Sequence, residues 1–298
     1  MRKYSFIVAL TCCAIIGNAQ QIQMSSLAQM QGLLYNPSMA GVEQKMTLGV
    51  MYRAQWTGVS GAPKTATAFG SFDLPEHKIG LGGYLFSDKT GATSRTGLEV
   101  AFAKHLPINN DAQFSIGLEA RATQYSIDIG KLSQTLGTDP VLASGSNKFT
   151  ADAGFGVSYI DKHFTVGASV LQLFQTKLGY YSGSLSPTEE GKLYRHYYFH
   201  GAYKWNVDAD NQIIPSFFLV YLPNAPTDFQ AEMRLEHAQI FYCGIGARIN
   251  QGVILSAGVH IKKKLTVGYV FDIYSTPYNT YESGGNAHEL MVRYDISK

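Results

Sequence analysis

From Met46 onward the chain alternates apolar and polar residues with a period of two, in stretches of strand length. In residues 150–159, Ala151, Ala153, Phe155, Val157 and Tyr159 alternate with Thr150, Asp152, Gly154, Gly156 and Ser158. Residues 114–121 set Phe114, Ile116, Leu118 and Ala120 against Ser115, Gly117, Glu119 and Arg121, and residues 229–236 repeat the pattern. Successive side chains of a strand point to opposite faces, so each stretch has one greasy and one wet side. About fourteen such stretches can be cut from the chain. They begin near Met46, Lys64, Lys78, Ser94, Ala112, Phe149, His163, Tyr194, Gln212, Thr227, Gln239, Gly252, Leu265 and Ala287.

A soluble β-sandwich would show the same alternation, so periodicity alone does not decide between sandwich and barrel. The connections do. Counted from the first strand, the longest connections, residues 129–148, 175–193 and 275–286, are all odd-numbered. The even-numbered ones, at 73–77, 161–162, 206–211, 237–238 and 262–264, are tight. Outer-membrane barrels have an even number of strands, short periplasmic turns and longer external loops, whereas a sandwich has no reason to sort loop length by parity. The pattern predicts an all-β transmembrane antiparallel barrel of about 14 strands over residues 46–298, in the cell outer membrane with both barrel termini periplasmic.

Two segments precede the barrel. Residues 1–19 read as a signal peptide: Met1-Arg2-Lys3 is basic, Phe6 to Ile16 is apolar, and Gly17-Asn18-Ala19 places small residues before a cut at Gln20. Cys12 and Cys13 raise a lipoprotein alternative, but Thr11 and Cys12 are poor residues to precede a lipidated cysteine. With both cysteines leaving in the signal, Cys243 stands alone in the mature chain and is expected to be a small apolar filler. Residues 20–45 do not alternate. Met24, Leu27, Met30 and Leu34 have rough helical spacing that Pro37 and Gly41 should stop. This stretch reads either as a short N-terminal plug or periplasmic arm, or as a loosely ordered leader.

Composition fits this setting. Charged residues are 15%, against about 25% in soluble domains. Glycine (30), tyrosine (19) and phenylalanine (16) are abundant, as lumen packing and aromatic girdles require. A net charge of +2 and the lack of a long basic run give no reason to expect a nucleic-acid partner. The inward polar faces would carry Arg53, Glu99, Glu119, Arg121, Asp152, Glu232, Arg234, Glu236, Glu289, Arg293 and Asp295, with both signs available to pair and fill the interior.

Motifs for chemistry are weak. His196 and His200 would bind zinc together on a helix, but on a strand they stand roughly 13 Å apart. Residues 58–65, GVSGAPKT, echo a phosphate loop, yet Pro63 cannot donate an N–H. The pairs Gly80/Gly82, Gly154/Gly156 and Gly244/Gly246 lack the following helix of a dinucleotide site and read as lumen or close-packing glycines. No catalytic constellation, metal site or cofactor is expected.

Two segments carry a resemblance. Tyr35-Asn36-Pro37-Ser38-Met39-Ala40-Gly41 is followed by Tyr52-Arg53-Ala54-Gln55-Trp56-Thr57-Gly58 and Gly61-Ala62-Pro63-Lys64-Thr65. This YNPxxAG, YRxQWxG and GxPxT series resembles the PorP/SprF family of outer-membrane proteins, which serves the type IX secretion and gliding-motility machinery. His288 to Tyr294 is similar to that family's closing strand, although the sequence then runs through Asp295-Ile296-Ser297-Lys298, leaving Tyr294 as the nearest terminal aromatic. The resemblance implies a non-enzymatic barrel in outer-membrane lipid. It also implies a secreted surface adhesin that the barrel helps export or hold, and a periplasmic partner, an OmpA-like peptidoglycan-binding protein or another secretion component. Tyr35, Asn36, Pro37, Gly41, Arg53, Gln55, Trp56 and Pro63 match the motif, and the family supplies no chemical role for them. Physically, Asn36-Pro37 forms a turn, and Arg53 with Trp56 could anchor the arm inside the barrel by charge and stacking. Two other classes stay open: a FadL-like transporter of hydrophobic small molecules, which needs an apolar path through the barrel, and a lipid-A-modifying enzyme, for which no Ser/His/carboxylate cluster can be assembled.

Overall fold

A computed structural model describes residues 25–136, 147–178, 192–223, 225–275 and 285–296. The segment read as a signal peptide and its cut lie outside the described residues. The strands are β1 (Met46–Ala54), β2 (Lys64–Leu74), β3 (Ile79–Thr90), β4 (Thr93–Pro107), β5 (Gln113–Ile127), β6 (Asn147–Ile160), β7 (Phe164–Leu171), β8 (His196–Tyr203), β9 (Trp205–Asn206), β10 (Asn211–Tyr221), β11 (Asp228–His237), β12 (Phe241–Arg248), β13 (Gly252–Ile261), β14 (Leu265–Tyr274) and β15 (Ala287–Ile296). Every pairing is antiparallel, and each long strand starts within two residues of the position expected from the alternation. β9 is a two-residue continuation of β8 that pairs with β10, so the wall has fourteen full strands and one fragment. β15 pairs with β1, which closes the sheet on itself and leaves no edge. A spanning sheet in hydrocarbon must close in this way, because an open edge would strand its N–H and C=O groups.

The faces are inverted relative to a water-soluble protein. On β4, Leu98 is 47% exposed, Glu99 0% and Val100 53%. On β6 the polar set Thr150, Asp152, Ser158 is buried, while Phe149 and Phe155 face out. Water outside such a wall would meet a belt of Leu, Val and Phe, so the outer solvent is lipid. No helix among the described residues is long and apolar enough to cross a membrane. Cys243 is free and exposed on the outer face of β12 rather than filling the interior, because its neighbours Tyr242 and Gly244 take the inward positions.

The two rims differ as the loop parity requires. One carries the connections 55–63, 128–146, 172–195 and 275–286; the other carries turns no longer than residues 108–112. The connection after β5 opens with a helix, α1 (Ile129–Leu136), which the strand segmentation did not include. Asp128 accepts from the Lys131 N–H at 3.1 Å at its start.

A barrel of this strand number encloses more room than wall side chains fill, and residues 25–45 occupy it. Their apolar spacing does not become one helix. It becomes three short 3-10 turns, Ala28–Met30, Gly32–Leu34 and Pro37–Met39. Pro37, expected to end a helix, opens the third turn, where its missing N–H costs nothing.

Candidate functional site in the lumen

The arm rises from the short-turn rim at Lys45 to the long-connection rim at Ser25, touching the wall all the way. Its upper end sits in a charged pocket. The Ser26 hydroxyl donates to Asp272 at 2.8 Å and accepts from Arg53 and Arg248, each at 3.1 Å, which uses its whole hydrogen-bonding capacity. The Ser26 N–H donates to Glu289 at 2.9 Å, Ser25 Oγ donates to the other Glu289 oxygen, and Gln230 Nε2 donates to the Ser26 carbonyl at 3.1 Å. Arg53 reaches Asp272 at 2.5 Å and Glu289 at 2.9 Å, and all three side chains are nearly inaccessible. Taken alone, each of these charges would be costly inside the barrel; held together, they leave the arm as one partner in a closed network.

Lower down, backbone and amide contacts replace charge. Tyr35 packs its ring 4.8 Å from Phe218 and 5.5 Å from Tyr198, and its carbonyl accepts from Ser169. Asn36 is wholly buried. Its Oδ1 accepts from the Ser38 N–H at 3.0 Å and hydroxyl at 2.7 Å, while its Nδ2 donates to the Val157 carbonyl at 3.1 Å and lies 3.1 Å from His200 Nε2. With its proton given to Asn36, Ser38 Oγ accepts from the Ser158 hydroxyl at 2.9 Å. The wall facing this turn is glycine. A Cβ on Gly156 would stand 2.0 Å from Asn36 Oδ1, one on Gly117 2.2 Å from the Ser38 nitrogen, and one on Gly80 1.9 Å from the Ala40 carbonyl. Gly41 turns the chain at φ +70° with its N–H donated to Ser71 Oγ, and has no room for a side chain against Gly80 and Phe72.

The other motif residues lie at the long-connection rim. The Gln55 N–H donates to the Pro63 carbonyl at 3.0 Å and closes the β1–β2 connection. The Trp56 ring lies 6.5 Å from that of Tyr274 on β14, tilted by 58°. Arg53 does meet the arm, through Ser26. The motif therefore splits into residues that seat the arm (Tyr35, Asn36, Pro37, Gly41), one that clamps it (Arg53), and a rim group (Gln55, Trp56, Pro63).

Most of the inward charges pair, while Glu232 accepts from Ser256 and Asp152 from the Ala153 and Phe174 N–H groups. Arg121 bridges Glu99 and Glu119, Arg234 meets Glu236, and Arg293 meets Asp295 and Glu43. Ser26, Asp228, Arg248 and Asp272 belong to this interior and are absent from the charges expected there. The glycine pairs divide: Gly80, Gly82 and Gly156 face the arm, while Gly154 abuts Glu119 and Gly244 lies against Ser256 and Glu232. His196 and His200 both point inward, His196 pairing with the Tyr194 carbonyl and His200 with Asn36. Among the described residues no group of three His, Cys, Asp or Glu side chains could hold a metal ion. Beside the arm at Leu34 and Tyr35 lies a cavity lined also by Tyr84, Arg121, Gln172 and His196.

The profile of a family described as "Type IX secretion system membrane protein PorP/SprF" matches residues 16–294. The chain belongs to the PorP/SprF family. No curated protein matches it. Among solved structures, the CymD monoaromatic hydrocarbon channel is similar in fold, with TM-score 0.53 and 14% identity, covering 90% of this chain and 92% of that one. The Acinetobacter baumannii outer membrane protein Omp33 gives TM-score 0.50 at 10% identity over 85% of this chain and 98% of that one. The Ralstonia pickettii toluene transporter TbuX gives 0.49 at 10%, over 95% and 96%. At these identities the likeness is one of fold. A PorP/SprF chain with an outer-membrane barrel fold is an outer-membrane component of the type IX secretion system.

Proposed function

We propose that this PorP/SprF protein is a non-enzymatic barrel that helps export or anchor a cell-surface adhesin and meets periplasmic machinery, an OmpA-like peptidoglycan-binding protein among the candidates. The observation that carries the reading is the arm, bonded into the lumen at both ends in a chain of this family. A barrel filled in this way is a rigid platform before it is a conduit. Its long connections offer an outer surface for an adhesin, and its short turns an inner one for the machinery. No chemistry is assigned to the lumen, where most of the charged groups pair with one another or with the arm.

A second reading, passage of a small hydrophobic molecule as the name of the CymD channel describes for that protein, draws on the shared fold. The cavity beside Leu34 and Tyr35 argues against it, because Arg121, Gln172, His196 and tyrosines line it together with Leu34 and Leu171. A hydrocarbon would have to displace water from polar groups there without replacing their hydrogen bonds.

The test is a deletion strain, with the same strain complemented by the intact gene as its control, scored for surface adhesin and for uptake of a labelled monoaromatic. The proposal expects adhesin to be lost from the surface, with uptake unchanged. Normal display with impaired uptake would overturn it in favour of transport.

A further inference from the structure

The inward face of β15 is bonded to the arm at four successive positions. Ser25 and Ser26 donate to Glu289. Gln31 Nε2 donates to Met291 Sδ at 3.2 Å. Arg293 donates to the Met30 carbonyl at 3.3 Å and to Glu43. Lys45 Nζ donates to Asp295 at 2.7 Å. β15 is also the closing strand, opposite β1 with Arg53 facing Glu289, Met51 facing Met291, Gly49 facing Arg293 and Thr47 facing Asp295. β1 adds its own bonds at both ends of this ladder, Arg53 to Glu289 and Thr47 Oγ1 to Asp295 at 3.0 Å.

The backbone ladder alone specifies this register weakly. A one-residue slip is forbidden, because it would turn Glu289, Arg293 and Asp295 into lipid. A two-residue slip is not. It keeps Leu290, Val292 and Tyr294 outside and the polar set inside. What it breaks is the match to the arm. Slipped one way, Arg293 would arrive beside Lys45 and Met291 beside Glu43. Slipped the other way, Asp295 would arrive beside Glu43, and Lys45 would lose its partner. Like charges replace opposite ones in both cases.

We infer that the inward face of β15 is a binding surface for the chain's own amino-terminal arm, and that the arm acts as an internal template fixing the register in which β15 closes on β1. Closure of the barrel then waits on the arm being in the lumen. This goes beyond a plug that merely fills space, since a filler would be indifferent to which inward residue of β15 stood beside it.

The experiment reads register directly, in full-length protein recovered from outer membranes in a Cys243→Ala background. Val50 and Val292 are directly opposite and lipid-facing, so Val50→Cys with Val292→Cys reports the native seam, and Val50→Cys with Leu290→Cys reports a two-residue slip. Leu85→Cys with Leu98→Cys reports an ordinary strand pair away from the seam. Reversing the arm with Glu43→Lys and Lys45→Glu should lower native-seam crosslinking about fivefold or more relative to the slipped pair, without changing the control pair. Adding Arg293→Glu and Asp295→Lys to the wall should restore it. Native crosslinking that survives arm reversal would overturn the inference, as would a control pair that falls in parallel or a reversed wall that fails to rescue.

Discussion

On the side of the lumen formed by β1, β11, β12, β14 and β15 the arm meets charge. Ser26 is held there by Arg53, Arg248, Asp272 and Glu289. On the side formed by β3, β5 and β6 it meets backbone, with the turn of Asn36, Pro37 and Ser38 lying in a trough of Gly80, Gly117 and Gly156. The same segment is thus fixed on one side by ions that depend on one another and on the other by close contact that depends on nothing being present. The first kind of site fails when a group is removed, the second when one is added. An arm held by both cannot slide along the barrel axis without breaking the ion network or colliding with the glycine trough.

The largest expected effect comes from the charged side. Arg53→Ala leaves Asp272 and Glu289 buried with their principal cation gone, and breaking a buried pair in this way costs about 3–5 kcal/mol. The temperature at which the unheated barrel changes gel mobility should fall sharply, and Arg53→Lys should recover only part of it, because one ammonium cannot fork to two carboxylates. An unchanged transition would mean that the network contributes no stability. On the glycine side, Gly156→Ala and Gly117→Ala should each cost about 1–3 kcal/mol, the ordinary range for overpacking. The loss should show as faster amide exchange in residues 36–41 while the wall strands stay protected. Gly70→Ala is the control, since its new methyl would meet the flexible Leu48 side chain at 3.1 Å. Equal exchange in all three variants would remove the distinction between trough and wall.

The wall was legible in the sequence to a degree that the arm was not. A period of two is a property of single residues, and each stretch such as 150–159 announces both its faces without reference to anything else. The lumen contacts are a property of pairs. Glu289 and Arg53 read as inward charges, but nothing in the spacing says that they share Ser26. Asp228, Arg248 and Asp272 lie at or near strand ends, where the alternation is too short to tell a wall position from a rim loop. The three 3-10 turns were hidden for a similar reason: Leu27, Met30 and Leu34 have helical spacing, yet they are apolar because the lumen filling around Tyr198 and Phe218 is, and Gly32 and Pro37 divide the stretch. The resemblance marked Tyr35 to Gly41 without giving a reason. The structure supplies one in Gly117 and Gly156: the second reads from its spacing as a lumen or close-packing glycine, but nothing in the wall pattern says that what packs on it is Asn36.

The two ends of the arm also lie at opposite rims, which yields a test of topology without a stability cost. A short epitope inserted ahead of Ser25 should be reachable on intact cells, together with epitopes in residues 129–148 and 175–193. Epitopes in the turns at 73–77 and 206–211 should be reached only after the outer membrane is opened. An epitope ahead of Ser25 that behaves like the short turns would reverse the direction in which the arm is threaded.

The smallest effect separates both lumen sites from the rim below them. Asp161 closes the β6–β7 turn by accepting the Phe164 N–H at 2.6 Å and the His163 N–H at 2.7 Å, and Tyr159 adds a hydroxyl at 3.1 Å. The N–H groups of Phe164 and then His163 hold its carboxyl below the usual aspartate range. A carboxyl whose folded value is depressed contributes stability that is present above its unfolded value of about 3.9 and is lost as pH falls through the folded one. The group is exposed, so solvent screening keeps the gain small and local to the turn. Amide exchange at His163 and Phe164 should therefore be slow at about pH 5 and rise as the medium is taken toward about pH 2, after correction for intrinsic rates. Asp161→Asn keeps an acceptor oxygen and should flatten that dependence, whereas Asp161→Ala should leave the turn open at every pH with the ion network around Ser26 unaltered. Protection that stays constant across the range in the unsubstituted protein would show that the turn is held by its backbone alone, and would leave Asp161 as a surface charge.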